Sequence, residues 1–128
     1  MHEAVAAIAA SGVSPVVRIP ANEPWMVKRA LDSGAHGIIV PLLYTAEDAR
    51  KLVASAKFPP QGNRGYGSPF PMGPFGNPTS SDYLQQANDA LVTVVQIETK
   101  EALQNVRENT IITSDLEPHR TLNQFTGR

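Results

Sequence analysis

The stretch Leu91-Val-Thr-Val-Val-Gln-Ile-Glu-Thr99 decides the fold of this chain. Its run of apolar, mostly β-branched residues ends abruptly in polar ones, which predicts a buried strand over Leu91–Ile97. Side chains alternate along a strand, so Val94, Gln96 and Glu98 share one face. An amide and a carboxylate at the carboxyl end of a parallel strand predict a ligand site, because parallel α/β proteins bind ligands there.

The carboxylate of Glu98 has two interpretations. Burying a carboxylate without a partner is costly, so it needs a cation, a metal or open water. It is either a metal ligand or a strand-end side chain that is solvated or paired with a lysine. The stretch alone leaves both interpretations open.

Two further strands and several helices are predicted by the same kinds of pattern. The strands are Pro15–Ile19 and Gly37–Val40. Five helices are predicted: Glu3–Ala10, Glu23–Ser33, Thr45 to about Ala56, Asp82–Ala90, and Thr99 to about Val106. The third opens with a capping box at Thr45–Asp48. The second would bury Trp25, Ala30 and Leu31. Strands that alternate with helices predict parallel βαβ units and an α/β fold.

Two segments depart from this alternation. Phe58–Ser81 is rich in proline and glycine, and a loop of this length in a compact domain is usually functional or disordered. Glu108–Arg128 keeps no helical or strand period. We therefore predict a folded region over residues 1–107 and a poorly ordered tail over residues 108–128.

Composition narrows the function classes. The chain has 128 residues, a net charge of −1 and no cysteine. The balanced charge argues against a nucleic-acid partner. Without cysteine there are no disulfides or thiolate metal sites, and a cytoplasmic setting fits. We find no apolar run long enough for a membrane span and no basic leader, so we expect no membrane association.

Three more polar residues are candidates for chemistry. Arg18 ends the first strand as Glu98 ends the third, so both would face one rim, where a guanidinium suits a carboxylate or enolate oxygen. The alternative for Arg18 is a salt bridge, for example to Glu23 or Asp32. Gln96 would hydrogen-bond a substrate or a metal-bound water, or be a satisfied polar group inside a barrel. Asp32 would orient a catalytic base, although helix-surface aspartates usually have no such role.

Four longer segments match one known family in order and spacing. They are PVVRIPANEPWMVKRALDSGAHGIIVPLLYTAEDAR (Pro15–Arg50), FPPQGNRGYGS (Phe58–Ser68), DYLQQAND (Asp82–Asp89) and VVQIETKEAL (Val94–Leu103). Together they resemble the HpcH/HpaI aldolase/citrate lyase family, and within it the 4-hydroxy-2-oxo-heptane-1,7-dioate and 2-dehydro-3-deoxy-sugar-acid aldolases. The resemblance implies about three parallel β/α units of a (β/α)₈ TIM barrel of the phosphoenolpyruvate/pyruvate type, a fold whose full-length members form hexamers.

The resemblance also implies an activity. Family members are divalent-metal-dependent class II aldolases, carbon–carbon lyases that cleave 2-keto-4-hydroxy acids to pyruvate and an aldehyde. By motif, Glu98 would be a ligand of Mg²⁺ or Mn²⁺, and Gln96 would lie beside the metal and the keto-acid oxygens. Arg18 would steady the enolate oxygen. Asp32 would pair with the catalytic histidine.

The predicted tail over residues 108–128 does not resemble the family, whereas residues 1–107 resemble a segment of its barrel. Two family motifs find no match in this sequence. One is an Asp-x-Glu-His motif that carries the histidine base, and the other is a Gly-Pro-x-Asp-Leu motif that carries a second metal carboxylate. We therefore expect a truncated barrel that is inactive by itself. The alternative function is a catalytically inactive partner that associates with an intact aldolase paralogue.

Overall fold

A computed structural model describes residues 1–67, 69–76 and 79–109 of the chain. Its elements, in chain order, are α1 His2–Ala10, β1 Val16–Arg18, α2 Pro24–Leu31, β2 Gly37–Val40, α3 Ala46–Ala56, a 3₁₀ helix Phe70–Phe75, α4 Ser80–Ala90, β3 Val92–Val95 and α5 Lys100–Gln104. Every predicted helix and strand is present, although β3 ends two residues before the predicted Ile97. The predicted tail lies outside the described residues from Thr110 onward.

The three strands form one parallel sheet in the order β1-β2-β3. Arg18 lies in register with Ile39, and Ile39 lies in register with Val94. This confirms the predicted parallel arrangement. Because all three strands run the same way, their carboxyl ends meet at one edge of the sheet, and α2 and α3 return the chain to the opposite, amino edge.

The core lies between one face of the sheet and the helices. Ile38 and Val40 of β2 have no exposed surface, and they point to the side that α2 and α3 cover. The buried members of this core are Ile19, Val27, Ala30, Leu31, Ile38, Val40, Leu43, Ala49, Leu52, Ala56 and Leu91. Removing this apolar surface from water is the main stabilising term of the fold.

One predicted core residue is not in the core. The buried positions of α2 are Val27, Ala30 and Leu31, which lie on one face because they are three and four residues apart. Trp25 precedes Val27 by two residues and is 60% exposed. The prediction that Trp25 is buried is therefore wrong, and the reason is that residues two apart on a helix face different ways.

The other face of the sheet is exposed in the described part of the chain. Alternation along the strands places Val16, Arg18, Ile39 and Val94 on this face, and we call it the open face. Val16 is 47% exposed and Val94 is 41% exposed. Parallel sheets are normally covered on both faces, so the two exposed valines mark a surface suited to contact with further polypeptide.

The segment rich in proline and glycine is fixed to α4 in its described part. The side-chain amide of Asn88 accepts a hydrogen bond from the Phe58 N–H at 2.7 Å and donates one to the Phe58 carbonyl at 3.0 Å. The ring of Tyr83 packs edge-on against those of Phe58 and Phe75. These contacts give the loop a second, smaller core.

The longest helices in the described residues, α3 and α4, have 11 residues each. A helix rises about 1.5 Å per residue, so each extends over only about half of a bilayer's hydrocarbon core. Within the described part of the chain, no helix has the length and apolarity of a membrane-spanning segment.

Candidate functional site

The carboxyl edge of the sheet carries three of the four predicted site residues. Arg18 is the last residue of β1, and Gln96 directly follows β3. The N–H of Gln96 donates to the carbonyl of Val40 at 2.9 Å, so the backbone pairing of β3 with β2 continues for one more residue. This extension fixes where the Gln96 side chain begins, at the end of the central strand.

Arg18 and Gln96 meet across β2. The Nε–H of Arg18 donates to Oε1 of Gln96 at 2.9 Å. An arginine only donates, so the contact fixes the amide with its oxygen toward Arg18 and its two N–H groups elsewhere. Among the described residues, Nη1 and Nη2 of Arg18 have no hydrogen-bond partner. The pair therefore presents a set of hydrogen-bond donors at the rim.

The ion pairs that the sequence allows for Arg18 are not formed. Glu23 pairs with Lys51 at 3.4 Å instead. Asp32 pairs with other cations, described below. No carboxylate among the described residues forms an ion pair with Arg18, so its charge is uncompensated at an exposed position. A rim cation of this kind is suited to binding an anion.

Glu98 is held by a backbone amide. Its Oε1 accepts a hydrogen bond from the N–H of Leu42 at 2.9 Å, and its side chain is exposed. Within the described part of the chain, no lysine or arginine pairs with it. The sequence left three possibilities for Glu98: a metal ligand, a solvated side chain, or a side chain paired with a lysine. The pairing with a lysine does not form among the described residues, and Oε2 is left for solvent or a ligand.

Leu42 is a further residue at this rim that the sequence does not single out. It contributes its backbone N–H rather than its side chain, and a leucine after a strand-ending proline carries no motif. The one signal lies in the structure: its φ of 55° is in the left-handed region, which a non-glycine residue rarely adopts. Side-chain type, on which motif reading depends, says nothing about such a contact.

Asp32 is not at this rim. It follows α2, which runs from the carboxyl edge back to the amino edge of the sheet. Its two oxygens are engaged there: Oδ2 with Lys28 Nζ at 2.7 Å and Oδ1 with Arg64 Nη2 at 3.2 Å. The structure thus brings Arg18, Gln96 and Glu98 to one edge and leaves Asp32 at the other.

A cavity of about 290 Å³ lies at the outer edge of β1, next to Arg18. Its lining is mostly apolar and consists of Met1, Val17, Arg18, Ile19, Pro20, Trp25, Met26 and Arg29. The exposed ring of Trp25 forms part of its wall.

The fold and the rim together define a parallel α/β protein whose candidate site lies at the carboxyl edge of its sheet and is suited to a small anionic ligand. The model of the HpcH/HpaI aldolase/citrate lyase family matches residues 1–116, and the chain belongs to that family. The match extends nine residues beyond the predicted boundary at residue 107.

Similar proteins include two enzymes and a crystal structure. The chain is 43% identical over 102 residues to a 2-dehydro-3,6-dideoxy-6-sulfogluconate aldolase from Pseudomonas putida, covering 80% of this chain and 39% of that protein. It is 44% identical over 100 residues to a 4-hydroxy-2-oxo-heptane-1,7-dioate aldolase from Salmonella dublin, covering 78% and 38%. An HpcH/HpaI family protein from Burkholderia cenocepacia matches with a TM-score of 0.75 and 38% identity, covering 87% and 45%. The chain spans about two fifths of the length of these relatives.

The donor chemistry of the rim fits one ligand of a hard divalent cation. Mg²⁺ prefers carboxylate oxygens and binds through one or two of them, with water and substrate oxygens completing its shell. Glu98 offers one such oxygen. Among the described residues, no three histidine, cysteine, aspartate or glutamate side chains lie close enough together to hold a metal ion. These residues therefore supply one ligand and not a complete site.

Proposed function

We propose that the rim of this chain is part of the active site of a divalent-metal-dependent class II aldolase that cleaves a 2-keto-4-hydroxy acid to pyruvate and an aldehyde. The observation that carries the proposal is the contact of Arg18 with Gln96 across the central strand, at the edge where Glu98 also lies. The aldolase names of the two similar enzymes support it. Mg²⁺ or Mn²⁺ is the proposed cofactor.

The proposed architecture is a (β/α)₈ barrel in which this chain forms about three β/α units. Three observations support it: the parallel sheet, the helices on one face, and an open face with exposed valines. In such a barrel the open face lines the interior, and active sites lie at the carboxyl ends of the strands. The setting we propose is cytoplasmic, with a hexamer of complete chains.

Arg18 would stabilise the negative charge that develops on the substrate. In aldol cleavage the bond between C3 and C4 breaks, the C4 hydroxyl gives its proton to a base, and the electron pair moves through C3 to the keto oxygen. A guanidinium whose terminal N–H groups are unpaired within the described residues can donate to that oxygen or to the neighbouring carboxylate. The base lies outside the described residues in this proposal.

Gln96 would act as a donor. Because its oxygen accepts from Arg18, its N–H groups are the atoms left for a substrate oxygen or a metal-bound water. The contact also holds the Arg18 side chain in place before substrate arrives. Groups arranged in advance lose less entropy on binding and stabilise charge more effectively.

Glu98 would hold the divalent cation through its open oxygen. When bound, such an ion supplies positive charge to the keto and carboxylate oxygens of the acid. Asp32 has only the role that the family resemblance implies, pairing with the catalytic histidine. That role requires a histidine from outside the described residues to reach the amino edge of the sheet.

The test is a chimera of this chain with a complete relative. Residues 1–107 would replace the matching segment of the Salmonella dublin aldolase, and pyruvate release from a 2-keto-4-hydroxy acid would be measured with Mg²⁺ or Mn²⁺. We expect metal-dependent release, a loss of about 10²-fold or more in Glu98→Ala, and no loss in the exposed control Glu101→Ala. We expect no release from the isolated chain. A folded chimera that is inactive, or one unaffected by Glu98→Ala, would contradict the proposal.

A second candidate function is a catalytically inactive partner of a complete aldolase. The exposed apolar side chains of the open face favour it, because such a surface is stabilised by association. Co-purification of the tagged chain with a complete family member, and its loss in a Val16→Lys/Val94→Lys variant, would support this candidate. Turnover by the isolated chain would exclude it.

A further inference from the structure

Leu42 has a backbone conformation that its own side chain does not explain. Among the described residues it is the one non-glycine position with a positive φ, at 55°. A left-handed conformation is unfavourable for any residue with a Cβ atom. The Leu42 side chain is 48% exposed, so packing does not offset this cost. Something other than the side chain must make the conformation favourable.

The neighbours of Leu42 fix its backbone from both sides. Pro41 and Leu43 are both buried, and Leu43 has no exposed surface. The chain is therefore anchored just before and just after Leu42, and the left-handed turn directs the Leu42 N–H outward to the rim. There it donates to Oε1 of Glu98 at 2.9 Å.

We propose that the Leu42 amide is a positioning group: it holds Oε1 of Glu98 and leaves Oε2 as the single oxygen that binds the divalent cation. A hydrogen bond to a carboxylate is among the stronger ones in proteins, and it fixes the rotamer of an otherwise exposed side chain. Occupying one oxygen disfavours two-oxygen chelation and suits the octahedral shell of Mg²⁺. The cation-binding part of this inference rests on the proposed function.

Two conservative variants of Glu98 separate the contact from the charge. Glu98→Gln keeps the length and the oxygen that accepts from Leu42, but loses the charged ligand. Glu98→Asp keeps the charge but is one methylene shorter and does not reach the amide. Hydrogen–deuterium exchange of the Leu42 amide would be measured by NMR in the isolated chain, with the Ile38 amide of β2 as the internal reference.

We expect exchange at Leu42, relative to Ile38, to rise about tenfold in Glu98→Asp and to stay unchanged in Glu98→Gln. An unchanged ratio in Glu98→Asp would overturn the inference, because the amide would then be held by something else. A rise in Glu98→Gln as large as that in Glu98→Asp would overturn it as well.

The cation is tested with Mn²⁺ alone, by paramagnetic broadening of the Leu42 amide signal. We expect the broadening to be strongest in the natural sequence and weaker in both Glu98 variants. Broadening in Glu98→Asp equal to that in the natural sequence would show that positioning is irrelevant and overturn the inference. Broadening in the natural sequence no greater than in Glu98→Gln would overturn it too.

Variants of Leu42 test the backbone itself. Leu42→Gly adopts a positive φ without strain and keeps the N–H, so it should preserve the contact and the Mn²⁺ response. Leu42→Val keeps the N–H but resists the left-handed conformation, so the contact with Glu98 and the Mn²⁺ response should both weaken. If both variants behave alike, the conformation of Leu42 does not position Glu98.

An inactive chimera combined with the expected exchange and Mn²⁺ results would refute the proposed aldolase activity and leave this inference standing.

Discussion

Replacing Asn88 with alanine should destabilise the fold more than any surface change in the same helix. The Asn88 side chain is buried and bridges both backbone groups of Phe58, accepting from the N–H at 2.7 Å and donating to the carbonyl at 3.0 Å. Alanine removes the acceptor of the Phe58 N–H, whereas the Phe58 carbonyl keeps a second donor, the Gly62 N–H at 3.1 Å. The N–H of Phe58 is then left in a buried site without its acceptor.

The expected loss follows from the unpaired Phe58 N–H. A buried backbone group left without a partner costs about 1–3 kcal/mol. We therefore expect the free energy of unfolding to fall by about 1–3 kcal/mol in Asn88→Ala. Asn88→Asp keeps an acceptor for the Phe58 N–H, so exchange of the Phe58 amide should stay closer to that of the natural sequence than in Asn88→Ala.

The assay is urea-induced unfolding followed by circular dichroism, in a fixed concentration of an osmolyte that keeps the natural sequence folded. Exchange of the Phe58 amide provides a local measurement. The control is Gln86→Ala, an exposed position of α4 where the same side chain is introduced. Equal losses in Asn88→Ala and Gln86→Ala, or an unchanged Phe58 amide, would refute the reasoning.

Three further outcomes follow from buried or capping side chains. Arg64→Met should lower the free energy of unfolding by about 2–3 kcal/mol, whereas the exposed control Arg50→Met should cost under about 0.5 kcal/mol; equal losses in urea unfolding would contradict this. Burial raises the pKa of Tyr83 above its ordinary 10.0, so the folded state keeps that proton longer and stability should decline as pH rises beyond 10.0; Tyr83→Phe should reduce the decline. The pKa of Asp48 lies below its ordinary value of 3.8. Burial raises this pKa, but the hydrogen bonds that Asp48 accepts at the start of α3 lower it by more. Asp48→Asn should therefore cost about 1 kcal/mol near neutral pH, and the difference should disappear as pH falls below 3.8.

Much of the fold follows from local patterns in the sequence. The capping box at Thr45 and Asp48 forms with both of its hydrogen bonds. The strand Gly37–Val40 is present with the predicted bounds. These features depend on short-range chemistry and on hydrophobic periodicity, both of which are visible in one sequence. The meeting of Arg18 with Gln96 follows from the same reasoning, because parallel strands bring their carboxyl ends to one edge.

Contacts between backbone and distant side chains could not be predicted. The hydrogen bonds of Asn88 to Phe58 join residues 30 apart in the sequence, and the hydrogen bond of Leu42 to Glu98 joins residues 56 apart. Neither uses a residue pair with a sequence signature. The exposure of Trp25 was missed for a different reason: a large apolar side chain suggested burial more strongly than its position on the helix allowed.

The polar residues at the two edges of the sheet differ in whether their charges are paired. This difference distinguishes residues that stabilise the fold from residues that are suited to binding a ligand. At the amino edge, Arg64 is buried, and its charge is matched by Asp32 at 3.2 Å. These contacts hold a buried charge, so their loss is a loss of stability. At the carboxyl edge, Arg18 and Glu98 are exposed and neither has a charged partner among the described residues. Unmatched charges that are nevertheless held by hydrogen bonds contribute little to stability but are ready to bind an ion or an anion. Substitutions of Arg18 should therefore change ligand binding more than the free energy of unfolding, while those of Arg64 should do the reverse.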